Sequence, residues 1–190
     1  MKITSGIYKY RNIEVPRGIR PTTEKVREAV FSMIMQWLPD AEVLDLFAGS
    51  GAMGLEALSR GAARCTFVES NRQNQKVLAA NIGNCGAGEI SSIAAKDFEA
   101  ALADLAGRRE KTVFDIVIID PPYERTEYYV SAMSKLQEYG LIDEGSVVVC
   151  EHLYDNKLSD TYGKLVKFRE KKYGTIGVDL FSVDNSEPFC

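Results

Sequence analysis

Histidine is almost missing from this chain. His152 is the only one in 190 residues, which leaves almost no material for a histidine-built zinc site. Cysteine is sparse as well. Cys65, Cys85, Cys150 and Cys190 form no C-x-x-C pair and no dense framework, so a disulfide scaffold is excluded. Cys65 and Cys150 sit inside apolar runs and read as small buried hydrophobes. No metal is expected. No apolar run approaches the roughly 20 residues needed to cross a bilayer. The opening Met1-Lys2-Ile3-Thr4-Ser5-Gly6 lacks the apolar core of a secretion signal. A cytoplasmic address and no membrane partner are therefore expected. Internal repeats, low-complexity tracts and long linkers are absent too. What remains is 45% hydrophobic and 26% charged, the composition of an ordinary globular domain with at most a small appendage.

Net charge is small in total but uneven in place. The net charge is −4, yet residues 1–27 hold seven basic side chains (Lys2, Lys9, Arg11, Arg17, Arg20, Lys25 and Arg27) against Glu14 and Glu24. That segment carries +5 and leaves −9 on the rest. A second basic group, Lys164, Lys167, Arg169, Lys171 and Lys172, is opposed only by Glu170. Two basic patches on an acidic body are either a footprint for phosphates or two solvated surface segments.

Along the chain, Ile3, Ile7, Tyr8, Tyr10, Ile13 and Val15, broken by Gly6 and Asn12, predict a short β-hairpin over residues 3–15. Thr22 or Thr23 caps a helix whose apolar positions are Val26, Ala29, Val30, Met33, Ile34 and Trp37, and Pro39 ends it. The texture then becomes strand, glycine turn, helix, strand. Strands are expected over residues 43–47, 64–69, 89–95, 114–120 and 146–151. Helices are expected over 55–60, 73–82, 98–105 and 128–139. This alternation predicts an α/β fold with a mainly parallel sheet covered on both faces. The runs 165–172 and 177–183, separated by Tyr173-Gly174-Thr175, predict a C-terminal antiparallel hairpin. The count is seven strands. The domain reading is a basic extension over residues 1–20 and an α/β domain over 21–190.

Two motifs carry chemistry. The first, D-L-F-A-G-S-G-A-M-G at residues 45–54, follows a strand and opens a helix. Its glycines permit a tight turn and close backbone approach to a ligand. Glu69 ends the next strand, where a carboxylate can accept both hydroxyls of a ribose. The glycine pattern alone also fits a dinucleotide oxidoreductase or a turn with no ligand. Asp45 tilts the choice, because a carboxylate that close repels a pyrophosphate and attracts a cationic ligand such as S-adenosylmethionine.

The second motif is F-D-I-V-I-I-D-P-P-Y at residues 114–123. It ends the fourth strand, and in open α/β sheets ligands bind at the carboxyl ends of strands. Asp120 is thus expected to meet the glycine loop in one crevice. An exocyclic amino group on a base is a poor nucleophile, since its lone pair is delocalised into the ring. The Asp120 carboxylate and a nearby backbone carbonyl can accept its two N–H bonds and stabilise the charge that develops on it. Pro121 and Pro122 stiffen the turn without adding donors. Tyr123 offers a flat face for the base. The alternative is that the prolines merely end a strand and Tyr123 packs on the surface.

Gly49-Ser50-Gly51 followed by Asp120-Pro121-Pro122-Tyr123 resembles the amino-group methyltransferases of the Rossmann-like class. The strings G-I-R-P-T-T-E-K-V-R-E-A-V-F (18–31) and D-L-F-A-G-S-G-A-M-G-L-E-A-L-S-R-G-A (45–62) are similar to the bacterial small-subunit (16S) ribosomal RNA guanine-N2 methyltransferases. The resemblance implies a Rossmann-like class I fold and S-adenosylmethionine as cofactor. It implies ribosomal RNA as partner, naked or within a small-subunit assembly particle, and a monomeric enzyme. It places Arg20, Pro21 and Thr22 near the cofactor's methionine end, Asp45, Phe47, Gly49, Ser50 and Gly51 along the cofactor, Glu69 at its ribose and Asp97-Phe98 at its adenine. Asp120, Pro121, Pro122 and Tyr123 hold the target base, with Asp120 also bordering the cofactor. Lys9, Arg11, Arg17 and Arg20 are the expected RNA contacts. The rival readings are a DNA adenine methyltransferase, a protein glutamine methyltransferase and a non-enzymatic nucleotide-binding module. The interval between Glu69 and Asp120 is too short for a large DNA-recognition region. A glutamine methyltransferase usually has Asn in place of Asp120, and a binding module has no need of Asp120-Pro121-Pro122-Tyr123.

Overall fold

The computed structural model describes residues 1–18, 22–110 and 112–184. Arg20, Pro21 and Cys190 lie outside the described residues. The helices are α1 (Glu24–Met33), α2 (Ala52–Ser59), α3 (Arg72–Cys85), α4 (Phe98–Ala106) and α5 (Glu127–Glu138). The strands are β1 (Glu42–Asp45), β2 (Arg64–Val68), β3 (Ser91–Ala94), β4 (Ile116–Ile119), β5 (Val147–Leu153), β6 (Thr161–Tyr162), β7 (Leu165–Tyr173) and β8 (Ile176–Val183). Helix starts follow from side-chain caps. Thr23, Asn71 and Asp97 accept backbone N–H groups at the starts of α1, α3 and α4.

One sheet holds the fold together, in the order β3-β2-β1-β4-β5-β8-β7-β6. The first five in that order run parallel; β8, β7 and β6 are antiparallel additions. The two-residue β6 is an eighth strand beyond the seven expected. It escapes sequence reading because two residues carry no periodicity. The C-terminal hairpin forms as expected, with β7 and β8 meeting at Tyr173 and Ile176.

Successive strand residues face opposite sides. Ile116 and Ile118 of β4 join one apolar core with α1, α2 and α3, while Val117 and Ile119 join the other with α4 and α5. Both faces are therefore buried, as the unbroken apolar runs predict. Cys65, Cys85 and Cys150 are free and buried. Among the described residues no helix is long and apolar enough to cross a membrane.

The N-terminal segment departs from expectation. In place of a hairpin over residues 3–15 there is a loop closed by one antiparallel bridge, Lys2 to Asn12. Its two arms bond to each other through the Ile3 N–H to the Arg11 carbonyl at 3.0 Å, the Tyr10 N–H to the Ile3 carbonyl at 2.9 Å and the Ile13 N–H to the Met1 carbonyl at 2.8 Å, and further backbone bonds go to α2. The Ile7 N–H donates to the Ser59 carbonyl at 2.8 Å, the Tyr8 N–H to Ser59 Oγ at 2.9 Å, and the Thr4 N–H to Glu56 Oε2 at 3.0 Å. Ile3, Tyr8 and Ile13 face inward.

Two of the expected surface cations are internal. Arg27 is fully buried, and its Nε donates to Glu56 Oε2 at 3.0 Å. Lys167, whose side chain is 7% exposed, pairs with the buried Asp179 at 3.0 Å, and His152 Nε2 lies 3.3 Å from the same carboxylate oxygen. Neither basic patch is therefore as charged outward as the linear count suggests.

Candidate active site

The strand order reverses direction at β1 and β4, and such a switch point opens a crevice at the carboxyl ends of the strands. The loop after β1 is the glycine turn; the residue after β4 is Asp120. Gly51, at φ 78°, starts α2, and a Cβ there would lie 2.4 Å from Leu78 Cδ1. Gly54 lets α2 sit down on β2, since a Cβ would fall 2.3 Å from Phe67 and 2.6 Å from Cys65 Sγ. Only glycine permits both approaches.

A cleft of about 930 Å³ lies over this switch point. Its size is at the upper end of small-molecule sites, roughly 300–1,000 Å³. It is lined by Thr22, Asp45, Phe47, Gly49, Ser50, Glu69, Asp97, Phe98 and Asp120 through Tyr123, so most of the residues singled out from the sequence meet in one place. Gly51 acts from behind, shaping the turn. Lys9, Arg11 and Arg17 are exposed and do not line the cleft.

Glu69 organises the cleft through the backbone. Its Oε2 accepts the Gly49 N–H at 2.9 Å and its Oε1 the Asn71 N–H at 2.7 Å. One carboxylate thus ties the glycine loop to the end of β2. Each ionised oxygen has a further lone pair, which leaves capacity for hydroxyl groups. Beside it, Phe47, Phe98 and Tyr128 form an aromatic cluster. Phe47 and Tyr128 stack at 5.9 Å and 8°, and Phe98 leans on both. Such a cluster suits a flat heterocycle. Tyr128 was missed from the sequence, where a single tyrosine at the start of a helix carries no signal. Asp97 is exposed at the cleft and caps α4 through Ala100 N at 2.9 Å.

The floor is acidic. Burial pushes Asp45 up to about 7; the Gly54 N–H, donated to Asp45 Oδ2 at 3.0 Å, opposes that shift and the Glu69 charge adds to it. Asp120, half-buried at the cleft wall, is pushed well above the usual 3.8 by burial, then by the charges of Glu151 and Asp45, against a hydrogen bond from Thr22. Carboxyls packed this way favour a cationic ligand, which restores their ionised forms. A polyphosphate gains nothing from such a floor. The Pro122 carbonyl is taken by the Arg125 N–H at 2.8 Å. Tyr123 is half-buried against the α1–α3 core. Glu151, at 5% exposure, accepts the Thr22 hydroxyl at 2.9 Å and the Tyr123 hydroxyl at 3.4 Å. Sequence reading missed it, because it looks like one more strand residue until β5 is laid beside β4.

A parallel α/β sheet with an antiparallel hairpin added beyond β5, a glycine turn after β1 and an acceptor-rich D-P-P-Y turn after β4 define the Rossmann-like class I methyltransferase fold. The chain belongs to the family described as Conserved hypothetical protein 95, whose model matches residues 1–182. It is 33% identical to the Escherichia coli protein named Ribosomal RNA small subunit methyltransferase D over 183 residues, 95% of this chain and 89% of that one. It is 34% identical to the Bacillus subtilis protein YlbH, over 95% of this chain and 98% of that one. The solved structure of Escherichia coli yhhF superposes with a TM-score of 0.84 at 32% identity, covering 97% of this chain and 98% of that one. A Salinibacter ruber RNA methyltransferase solved in complex with S-adenosyl-L-homocysteine shares the fold, with a TM-score of 0.68 at 16% identity, over 89% of this chain and 97% of that one.

Proposed function

We propose that this chain transfers a methyl group from S-adenosylmethionine to the exocyclic N2 amino group of a guanine in small-subunit ribosomal RNA. The observation that carries the reading is the position of Asp120: it closes the cleft opposite the glycine loop, next to acceptors and a tyrosine face. The name of the Escherichia coli relative supports the RNA target.

The cleft fits the cofactor by size and by the chemistry of its lining. S-adenosylmethionine supplies an electrophilic methyl group on a cationic sulfonium. Glu69 accepts the ribose hydroxyls. Phe47, Phe98 and Tyr128 flank the adenine, with Asp97 at its edge. Asp45, the loop Gly49-Ser50-Gly51 and Thr22 border the methionine end. Asp120 and the Pro121 carbonyl accept the two N–H bonds of the target amino group, aim its nitrogen at the methyl and stabilise the positive charge that grows on it. The surplus proton leaves after transfer, so no strong general base is required. Tyr123 stacks on the base, which must swing out of its own stack to arrive.

S-adenosylmethionine should raise the melting temperature, and NAD should not. In Glu69→Ala, calorimetry should show cofactor affinity weakened by about 1.5–3 kcal/mol, the range for a hydrogen bond to a charged group. Unchanged affinity would remove Glu69 from the cofactor site.

Lys9, Arg11 and Arg17 hold the RNA backbone and do not read bases. All three are exposed on or beside the N-terminal loop, where Lys9 lies over the ring of Tyr10 at 4.9 Å and Arg11 donates to the Asn84 carbonyl. Neutralising them together should weaken RNA binding and flatten its salt dependence, by roughly 0.7 log units of slope per lost single-strand phosphate contact. Turnover at saturating RNA should fall much less. Equal slopes for wild type and the triple variant would place the RNA surface elsewhere.

A further inference from the structure

Asp120 does not stand alone at the end of the sheet. Ile119 and Cys150 are the last register partners of β4 and β5, and Asp120 and Glu151 each follow by one residue. Adjacent strands lie about 4.8 Å apart, so these two carboxyl-bearing residues are lateral neighbours. Strand alternation turns both toward the face of Ile118 and Val149, the face covered by α1 and α2.

Glu151 is held at every end. Its Oε2 accepts the Thr22 hydroxyl at 2.9 Å and its Oε1 the Tyr123 hydroxyl at 3.4 Å. Its backbone carbonyl accepts the Tyr129 hydroxyl from α5 at 2.5 Å. Thr22 and Tyr123 both line the cleft, while Glu151 itself sits behind them at 5% exposure.

We propose that Glu151 is a positioning residue for methyl transfer: from the end of β5 it braces Thr22 and Tyr123 on either side of Asp120 and sets the negative field in which Asp120 works. This rests on the reading of Asp120 as the acceptor for the target amino group. The brace has a geometric purpose. Thr22 comes from the segment before α1 and Tyr123 from the loop after β4, and no backbone bond joins the two. Among the described residues, the buried Glu151 carboxylate accepts from both hydroxyls and so ties their separation, and with it the space left for a base. Misplacement of a reacting group by about 1 Å costs on the order of a hundredfold in rate.

The field has a purpose too. Among the described residues, the groups that face Asp120 are Asp45 from β1, Glu151 from β5, Tyr129 from α5, Tyr123 from its own loop and the hydroxyl of Thr22. Burial and the charges of Glu151 and Asp45 raise its carboxyl, so Asp120 holds its proton more tightly than an ordinary aspartate. Removing the Glu151 charge weakens that hold. Asp45 titrates nearby, but its own shift comes from burial and Glu69, so a change caused by Glu151 reports Asp120.

The test compares wild type, Glu151→Gln and Asp120→Ala in the pH dependence of kcat/KM for S-adenosylmethionine, which reports ionisations of the enzyme before the cofactor binds. Glutamine keeps the shape of Glu151 and one acceptor, so the variant should fold and keep its thermal response to S-adenosylmethionine. Its acid limb should move toward lower pH by about one unit, the scale of a like-charge interaction. Glu151→Ala, which also loses the brace, should lose about tenfold or more in kcat on the alkaline plateau. A role confined to stability would move neither the limb nor the plateau of a folded variant. An unmoved limb in Glu151→Gln, with Asp120→Ala inactive, overturns the proposal and leaves the reading of Asp120 intact. Full activity in Asp120→Ala overturns both.

Discussion

Replacing Asp120 with alanine cuts turnover by a factor on the order of a hundred or more and leaves S-adenosylmethionine affinity near that of wild type. The separation follows from where the residue sits. Asp120 is at the end of β4, whereas the groups assigned to ribose and adenine, Glu69, Asp97 and Phe98, belong to the ends of β2 and β3 and the start of α4. Truncating Asp120 removes an acceptor for the target amino group without touching those contacts. Single-turnover rates at saturating cofactor, together with calorimetric binding, separate the two quantities. An active Asp120→Ala enzyme would end the proposed chemistry.

The second large effect is on stability. Glu56, wholly buried in α2, accepts five hydrogen bonds: from the Thr4 N–H and hydroxyl, the Ser5 N–H, Arg27 Nε and Arg60 Nε. Glu56→Ala leaves Arg27 buried without its carboxylate partner and orphans the N-terminal amides. Breaking a buried pair in this way costs about 3–5 kcal/mol. Denaturant unfolding should show a loss in that range; a loss below about 1 kcal/mol would mean that the pair contributes little. The pH dependence has a definite sign. Burial alone would raise the Glu56 carboxyl, but Thr4, Arg60 and Arg27 outweigh it and hold it below its ordinary 4.5. A depressed carboxyl stabilises the fold fully above its unfolded value and loses that contribution as pH falls through the folded value. The wild type should therefore lose stability below about pH 4.5, and Glu56→Ala should lose less over that interval.

The same pair shows where sequence reading stopped. The glycine turn and the D-P-P-Y turn were legible because each couples a backbone demand to a chemical one at fixed spacing. The parallel core was legible from unbroken apolar runs such as residues 116–119. Arg27 was counted as a surface cation, although it shares a helical face with Val30, Phe31 and Ile34, and that spacing was the available signal. Glu56, flanked by Leu55, Ala57 and Leu58 in a helix buried on all sides, is its counterpart. Lys167 lies two residues from the buried Leu165, on the same strand face, so strand periodicity points it inward toward Asp179. The N-terminal pairing is shorter than the apolar run 3–15 suggests: Ile3 and Ile13 each bond across its arms, while Ile3, Tyr8 and Ile13 also bury against other elements, and only one bridge, Lys2 to Asn12, forms. Glu151 and Tyr128 were invisible because their importance lies in lateral neighbours that only the sheet order and the packing of α5 bring near.

The most direct test is transfer of labelled methyl from S-adenosylmethionine to small-subunit ribosomal RNA from cells lacking the gene, offered both as naked RNA and as assembled particles, followed by nucleoside analysis. The label should appear in N2-methylguanosine, in one or both substrates, and should vanish with Asp120→Ala. Label in N6-methyladenosine or in protein, or no label with either substrate, would contradict the assignment.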